Sequence, residues 1–418
     1  MPVKGGIIIE VTHSPLLKLI IEGTTKIWVV DVKDSTRRGP SSAKVPVFYN
    51  PVMEFNRDLS ILVMERFLKD LETQSTFGTK IRLLDGLAGT GIRGVRICHE
   101  VKSAQKPEVS VMINDYNPLA HKLILKNIEE NQITSAVASN HDLNRIPATS
   151  KFNYIDVDPF GSPIKFLDAS LRMLRNNGIL AVTATDTATL FGSYPKTCLR
   201  RYDALSCRSV FSHELGVRIL IGSCVRTAAR YNIGLRPLLS HATDHYYRVY
   251  LKCLSGRSRA DSSLVELGYV IQSGNSNEFR VITTKELFSG YNVSRPTSSG
   301  SVSNIKPSPT NNLAGPLWTG LLYDPAFIKH LKVGSYELGT KKMITKILEL
   351  MRLEVSAPLG FYDTNYLASE LKLTTPPLKE ILKGLTDHGY HAVPTHFNPN
   401  AFKTDAKFDD IAQIIKNI

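Results

Sequence analysis

Cysteine is scarce in this 418-residue chain: Cys98, Cys198, Cys207, Cys224 and Cys253 are all there is, and no two are spaced C-x-x-C. That spacing pattern excludes a zinc site of the usual kind, and an odd, sparse set fits reduced thiols better than a disulfide framework. Long apolar runs are missing too. Stretches such as residues 6–9 and 219–221 fall far short of the roughly 20 residues a membrane-spanning helix needs. Glu10 and His13 interrupt the only early apolar run, so no secretory segment is expected and the default compartment is the cytoplasm. Acidic residues are in deficit, 38 Asp and Glu against 51 Lys and Arg, for a net charge of +13. An excess of that sign attracts a polyanion, and phosphate backbones are the commonest one. Hydrophobic residues at 42% and charged residues at 21% are those of a soluble globular protein, and the length suits two domains.

What the chain does have is a regular alternation. Apolar runs at residues 81–84, 109–113, 136–139, 152–157 and 179–185 lead into Asp85, Asn114-Asp115, Asp142, Asp158 and Asp186. Helical patterns at 118–131 and 164–175 separate them, and residues 246–251 offer another strand. Such β–α alternation predicts an α/β fold, a mostly parallel sheet with helices on both faces. Ahead of it, residues 6–12 and 25–32 read as short strands. A basic loop follows with Lys33, Arg37, Arg38 and Lys44, then a helix over 56–71 with Leu59, Leu62, Val63, Phe67 and Leu68 on one face.

Composition shifts after Cys253. Residues 272–312 are rich in Ser, Asn, Thr and Gly, with strand-like runs at 268–271 and 279–283, and are expected to form long, partly disordered loops. A helix over 341–351, short helices over 366–371 and 378–385 and a strand over 390–394 outline a winged helix. The expected division is a first domain over 1–254 and a smaller α+β domain over 255–418.

Asp85-Gly86-Leu87-Ala88-Gly89-Thr90-Gly91 follows a strand and opens a helix. Gly89-x-Gly91-x-x-Gly94 also matches the dinucleotide fingerprint, so a nicotinamide cofactor stays open at this point. Two features favour S-adenosylmethionine. Asp85 accepts from an ammonium, whereas it would repel a pyrophosphate. Arg93 suits a methionine carboxylate, although it suits a phosphate as well. Asp115 is placed for ribose hydroxyls, a role both cofactors share, and Asp142 for the adenine amine. Any one strand-end carboxylate can simply be solvated or cap a helix; three at successive strand ends point to a ligand.

The fourth strand runs into Asp158-Pro159-Phe160-Gly161-Ser162-Pro163. Ligands bind open α/β sheets beyond the carboxyl ends of the strands, which puts this turn beside the cofactor. The exocyclic amine of a base is a poor nucleophile because its lone pair is delocalised into the ring. Methylating it needs an acceptor for its N–H hydrogens and a frame that aims the nitrogen. Asp158 supplies the acceptor, with the Pro159 carbonyl beside it, proline fixes one backbone angle, and Phe160 offers a stacking face. The same letters also occur in ordinary turns; their position after the fourth strand is what gives them weight.

With these motifs the chain resembles the tRNA (guanine-26-N2)-dimethyltransferases of archaea and eukaryotes. The resemblance rests on ordered blocks from about residue 48 to 324. They are Phe48-Tyr49-Asn50-Pro51, Asn56-Arg57-Asp58, Asp85 through Gly91-Ile92-Arg93-Gly94-Val95-Arg96, Asn114-Asp115 and the Asp158 turn. Further on come Thr185-Asp186-Thr187-Ala188, Tyr202 after Arg200-Arg201, His213-Glu214, Asp244-His245-Tyr246 and Gly315-Pro316-Leu317-Trp318-Thr319-Gly320.

The resemblance implies a class I S-adenosylmethionine-dependent methyltransferase domain, a C-terminal tRNA-binding domain and two methyl transfers to N2 of one guanine in tRNA. It implies that Phe48, Arg57, Asp85, Gly89, Arg93, Asp115 and Asp142 hold the cofactor, with Leu143 lining the adenine site. Many relatives have alanine there, so Leu143 carries over only through its backbone. Asp158, Pro159 and Phe160 would be catalytic, with Phe48 also packing near the base. Many relatives also carry a four-cysteine zinc cluster. Here Cys253 stands alone, so no metal is expected, and a monomer is the default. Basic residues for tRNA are expected from residues 33–44, the Arg200-Arg201 region and the C-terminal domain, although a charge run is often only a solvated face. Rival readings are methylation of another amine (N6 of adenine, or guanine N2 elsewhere in RNA) and a non-catalytic RNA-binding protein with a vestigial cofactor fold.

Overall fold

Every residue of Phe152–Val157 is buried, which is the mark of a strand covered on both faces rather than one with an alternating wet side. The computed structural model describes residues 16–31, 46–73, 80–101, 108–273, 279–291 and 311–418. The expected strand over 6–12, the basic loop over 33–44 and most of residues 272–312 lie outside them. In chain order the first elements are β1 (Leu17–Glu22), β2 (Thr25–Val30), α1 (Glu54–Thr73), β3 (Lys80–Asp85), α2 (Ile92–Glu100), β4 (Glu108–Asn114), α3 (Pro118–Glu130) and β5 (Ala136–Ser139). They continue with β6 (Phe152–Val157), α4 (Ile164–Met173), β7 (Leu174–Ala184), α5 (Thr187–Leu190), α6 (Pro195–Tyr202), α7 (Ser212–Ala229), β8 (Ile233–Thr243) and β9 (Tyr246–Ser255).

Seven of these strands form one sheet in the order β5-β4-β3-β6-β7-β9-β8. Strands β3 to β7 run parallel to one another, and β9 is antiparallel to both strands flanking it, β7 and β8. The mostly parallel sheet is the one that the β–α alternation leads one to expect, and it agrees with the class I S-adenosylmethionine-dependent methyltransferase fold that the resemblance implies. Strand order reverses between β3 and β6, and Asp85 pairs in register with Asp156 there. The switch point therefore sets the glycine turn after β3 beside the Asp158 turn after β6, in the crevice where such sheets bind ligands.

One strand of the sheet has no counterpart in the sequence reading. In β8, Pro237 breaks the apolar run and the register with β9 shifts between Pro237 and Leu239. Proline is tolerated because β8 is an edge strand, where a missing N–H costs no ladder bond. Helix α7 is buried nearly all round, so it lacks the one-sided periodicity that marks a surface helix.

A smaller α+β part follows. It contains α8 (Arg257–Leu264), β10 (Leu267–Ser273), β11 (Phe279–Thr283), α9 (Thr284–Tyr291), β12 (Asn311–Trp318), α10 (Pro325–His330) and α11 (Lys341–Glu354). Then come β13 (Tyr362–Asp363), α12 (Thr364–Leu371), α13 (Leu378–Asp387), β14 (Ala392–Pro394), β15 (Ala401–Thr404) and α14 (Phe408–Lys416). Two antiparallel three-stranded sheets result, β11-β10-β12 and β13-β15-β14. The second has its own small core of Leu367, Ile381, Leu385, Phe402, Ile411 and Ile415. No helix among the described residues is long and apolar enough to cross a membrane.

Polar rivets join this part to the sheet. Arg218 on α7 donates to the carbonyls of Trp318 and Gly320 at 3.0 and 2.8 Å, and Arg226 to that of Pro316 at 2.9 Å. On α1, Asp58 accepts from the Thr340 amide and hydroxyl at 2.9 and 2.7 Å. Deepest of all, the fully buried Glu214 takes Lys403 Nζ at 2.6 Å, Arg218 at 2.8 Å and the Gly360 amide at 3.2 Å. Burial alone would raise the Glu214 carboxyl, but Lys403 and Arg218 bring it down to about 2. A depressed carboxyl contributes stability above its ordinary pKa of 4.5, and that contribution is lost as pH falls from 4.5 toward 2. Lys403→Met removes one partner of a buried pair, so we expect a loss of about 3 kcal/mol in urea unfolding at neutral pH. We also expect a weaker acid dependence of the unfolding midpoint below pH 4.5. An unchanged midpoint would show that the rivet carries no stability.

Candidate active site

The glycine turn after β3 is built by backbone requirements. Gly89 and Gly91 both take left-handed angles, φ +54° and +79°, and a Cβ on Gly91 would come within 2.9 Å of Ile124. The Gly89 amide donates to Asp115 Oδ2 at 2.8 Å and the Asn117 amide to Oδ1 at 2.9 Å. Asp115 is thus fixed at the end of β4 with lone pairs left on both oxygens. Asn114 ties the neighbouring ends together, donating to the carbonyls of Gly86 and His141 at 3.0 and 2.9 Å.

Asp85 is buried and accepts the Gly94 amide at 3.0 Å, and no ion pair engages it among the described residues. Burial, with the Asp156 charge added, pushes its carboxyl up to about 7. A buried carboxylate with no cation of its own gains most from an incoming ammonium. Together with the open lone pairs of Asp115 on the ribose side, this donor set fits S-adenosylmethionine. Leu143 lies 1% exposed beneath Gly86, where its side chain closes the floor. Asp142 is exposed and accepts the Asn144 amide at 3.0 Å, capping a single helical turn. The described residues contain no group of three metal-ligating side chains.

On the other side of the switch point, the Asp158 turn is held by the end of β7. Thr185 accepts the Gly161 amide at 2.7 Å on its hydroxyl and donates its own amide back to the Gly161 carbonyl at 3.0 Å. Pro159 is buried, while Phe160 stands 60% exposed with its ring 4.6 Å from the half-buried Phe48 in an edge contact. An acid and an exposed aromatic face therefore share one mouth.

Behind Asp158 lies a ladder of buried charge. Arg93 donates to Asp158 Oδ2 at 2.5 Å, to Asn56 Oδ1 at 2.8 Å and to Ser60 Oγ at 2.6 Å, and its Nε lies 3.5 Å from Asp156. Asp156, fully buried, accepts two bonds from Arg248 at 3.0 and 2.6 Å and one from the Tyr154 hydroxyl at 2.6 Å. Burial would raise the Asp156 carboxyl, yet Arg248 and Arg93 hold it below the usual carboxylate range. Arg93 is thus already engaged on four protein groups, with Asp85 close by.

Arg57 is likewise occupied. Its Nε and Nη2 each reach Glu22 at 2.6 Å, and Nη2 also reaches the Asn50 carbonyl at 3.1 Å, which ties the strand ahead of the sheet to the segment carrying Phe48. The sequence reading missed Glu22, Ser60, Asp156 and Arg248. A signal existed for the last two: a charged residue inside an otherwise apolar buried strand requires a partner.

The family model for N2,N2-dimethylguanosine tRNA methyltransferase matches residues 23–416. A protein of Thermococcus kodakarensis named tRNA (guanine(26)-N(2))-dimethyltransferase is 38% identical over 392 residues, covering 89% of this chain and 94% of that one. Its namesake in Methanococcus maripaludis is 35% identical over 403 residues, 96% and 98% of the two chains. Among solved structures, Trm1 from Pyrococcus horikoshii in complex with S-adenosyl-L-methionine superposes with a TM-score of 0.79 at 32% identity, covering 96% of this chain and all of that one. With the switch-point crevice, the acid-aromatic turn and matches over nearly its whole length, the chain belongs to the N2,N2-dimethylguanosine tRNA methyltransferase family.

Proposed function

We propose that this protein transfers methyl groups from S-adenosylmethionine to the exocyclic N2 of guanine 26 in tRNA, giving N2,N2-dimethylguanosine. The observation that carries the reading is the pairing of Asp158, oriented by Arg93, with the exposed Phe160 face on Phe48. When bound, the cofactor supplies an electrophilic methyl group. Asp85 would hold its ammonium, with Arg93 at the same end, Gly89 and Asp115 the ribose, and Asp142 and Leu143 the adenine. Phe48 would shape the wall between donor and base. Arg57 would act chiefly by anchoring the Phe48 segment through Glu22.

The target lies within folded RNA, so the guanine must be drawn out of its stack into the mouth. There Phe160 would stack on the ring, and Asp158 with the Pro159 carbonyl would accept the N2 hydrogens, aiming the nitrogen lone pair in line with the methyl. The proton leaves readily once nitrogen becomes cationic, and Asp158 receives it. Most of the rate gain comes from such positioning in a matched electrostatic frame. Residues 255–418 are proposed as the tRNA-binding part. Its last segment supports a winged-helix-like unit, since α11, β13, α12, α13, β14 and β15 follow the order helix, strand, two helices, two strands. The setting we propose is the cytoplasm, with the single chain as the working unit.

Asp158→Ala should lower methyl transfer to tRNA by about 10³-fold or more while cofactor affinity stays within about threefold. Transfer would be read by nucleoside analysis and affinity by calorimetry; equal loss of both would make Asp158 a cofactor ligand instead. The raised carboxyl of Asp85 gives a second test. Below about pH 7 it is protonated in the free protein, whereas ammonium binding needs the carboxylate. Cofactor affinity should therefore fall about tenfold per pH unit below that point and level off just above it. Asp85→Asn should flatten the profile between pH 5.5 and 7.5; a profile that persists in the variant would remove Asp85 from this role.

A further inference from the structure

We propose that the outer face of α6, together with Tyr194 just ahead of it, is the track that holds the tRNA strand flanking the target guanosine. The proposal rests on the reading above and adds to it a surface and a division of labour along that surface.

Helix α6 is pinned to the catalytic turn at one end. The Tyr202 hydroxyl donates to Asp186 Oδ1 at 2.5 Å, and Arg201 reaches the other oxygen of the same carboxylate at 2.9 Å. The residue before Asp186 is Thr185, which bonds Gly161 of the turn in both directions. Tyr202 is buried and serves as the anchor, so the opposite face of the helix is presented outward from a fixed base.

That outward face has the chemistry of a single-strand binder. Tyr194 is 61% exposed and Leu199 51%, and Lys196, Arg200, Arg201 and Arg208 are all exposed. Between residues 194 and 208 these four cations face one acid, Asp203. Arg201 is partly neutralised by Asp186, but Lys196 and Arg200 enter no ion pair among the described residues. Cations with an aromatic ring among them are how proteins follow a nucleic-acid strand, phosphates on the charges and bases on the ring.

The dimensions agree. Eight residues of helix span about 12 Å, and stacked nucleotides advance about 3.4 Å each along one strand. The track therefore covers about three nucleotides, from the pocket mouth near Tyr202 to Tyr194 at the far end. Tyr194 at the far end offers its ring to a base about three nucleotides from the target, while Lys196 and Arg200 hold the phosphates between.

The test uses the full chain with Lys196→Glu/Arg200→Glu, Tyr194→Ala and Tyr194→Phe. Binding to unmodified tRNA is measured between 50 and 200 mM salt by filter retention, alongside cofactor affinity, thermal midpoint and product nucleosides. The double reversal should make the slope of log affinity against log salt shallower by about 1.4, each lost single-strand phosphate contact contributing about 0.7. Cofactor affinity and thermal midpoint should stay at the wild-type value. Tyr194→Ala should lower kcat/KM for tRNA about tenfold, with Tyr194→Phe close to wild type because the ring remains. An unchanged salt slope overturns the track, and Tyr194→Ala equal to wild type overturns the stacking role. Should the wild-type chain make no dimethylguanosine while its tRNA affinity still responds to the double reversal, the substrate reading fails and the track stands as an RNA surface.

Discussion

The Asp156–Arg248 pair at the centre of the sheet is the constraint from which the site is built. Two buried unit charges are costly, and the cost is offset by Tyr154, Thr183 and the second arginine, Arg93, which meet most of the pair's polar groups, while Arg248 Nε has no partner among the described residues. Arg93 thereby receives one fixed contact from below. Its remaining nitrogens are settled by Asn56 and Ser60 on α1, and what is left over faces Asp158. The Asp158 carboxylate is held by a chain of charges reaching back through two strands and two helices. That is the kind of preorganisation by which a protein orients a reacting group without spending energy at the moment of reaction.

Much of this was legible beforehand, and the parts that were not have physical reasons. The strands β3 to β6 announce themselves because each is a short apolar run leading into an acid, and those acids are the proposed site residues. Asp85, Asp115 and Asp158 were found this way, and the structure sets Asp85 and Asp158 on either side of the switch point. Asp142 is brought near through Leu143, although its visible task is to cap a helical turn. Arg93 was read as a cofactor residue from the glycine loop and Arg57 from the resemblance; sequence alone could not show that both are held by carboxylates of the protein. Glu22 lies 35 residues from Arg57, and Arg248 lies 92 from Asp156, separations at which no local pattern reports contact. Strand β8 stayed hidden because Pro237 is compatible with a strand only at a sheet edge, a property of topology and not of local spelling.

The second part of the chain solves a different problem. The strand β12 leans on α7. Arg218 and Arg226 serve as donors to backbone carbonyls that would otherwise be buried unmet. Glu214 then joins α7 to β15, so the far sheet is fixed to the methyltransferase core and not only tethered to it. A rigid junction of this kind lets a distant RNA contact be felt as orientation at the mouth.

The antiparallel strand β9 has a consequence for how the molecule comes into being. Asp156 is laid down early in synthesis, but its counter-charge Arg248 is on the last strand to join the sheet. Until that strand takes its place between β7 and β8, Asp156 has only the Arg93 guanidinium, 3.5 Å away, to offset its charge, and both hydrogen bonds from Arg248 are missing. Joining of the last strand thus completes the sheet and the charge ladder behind Asp158 together, because Arg248 supplies the partner that the buried Asp156 needs.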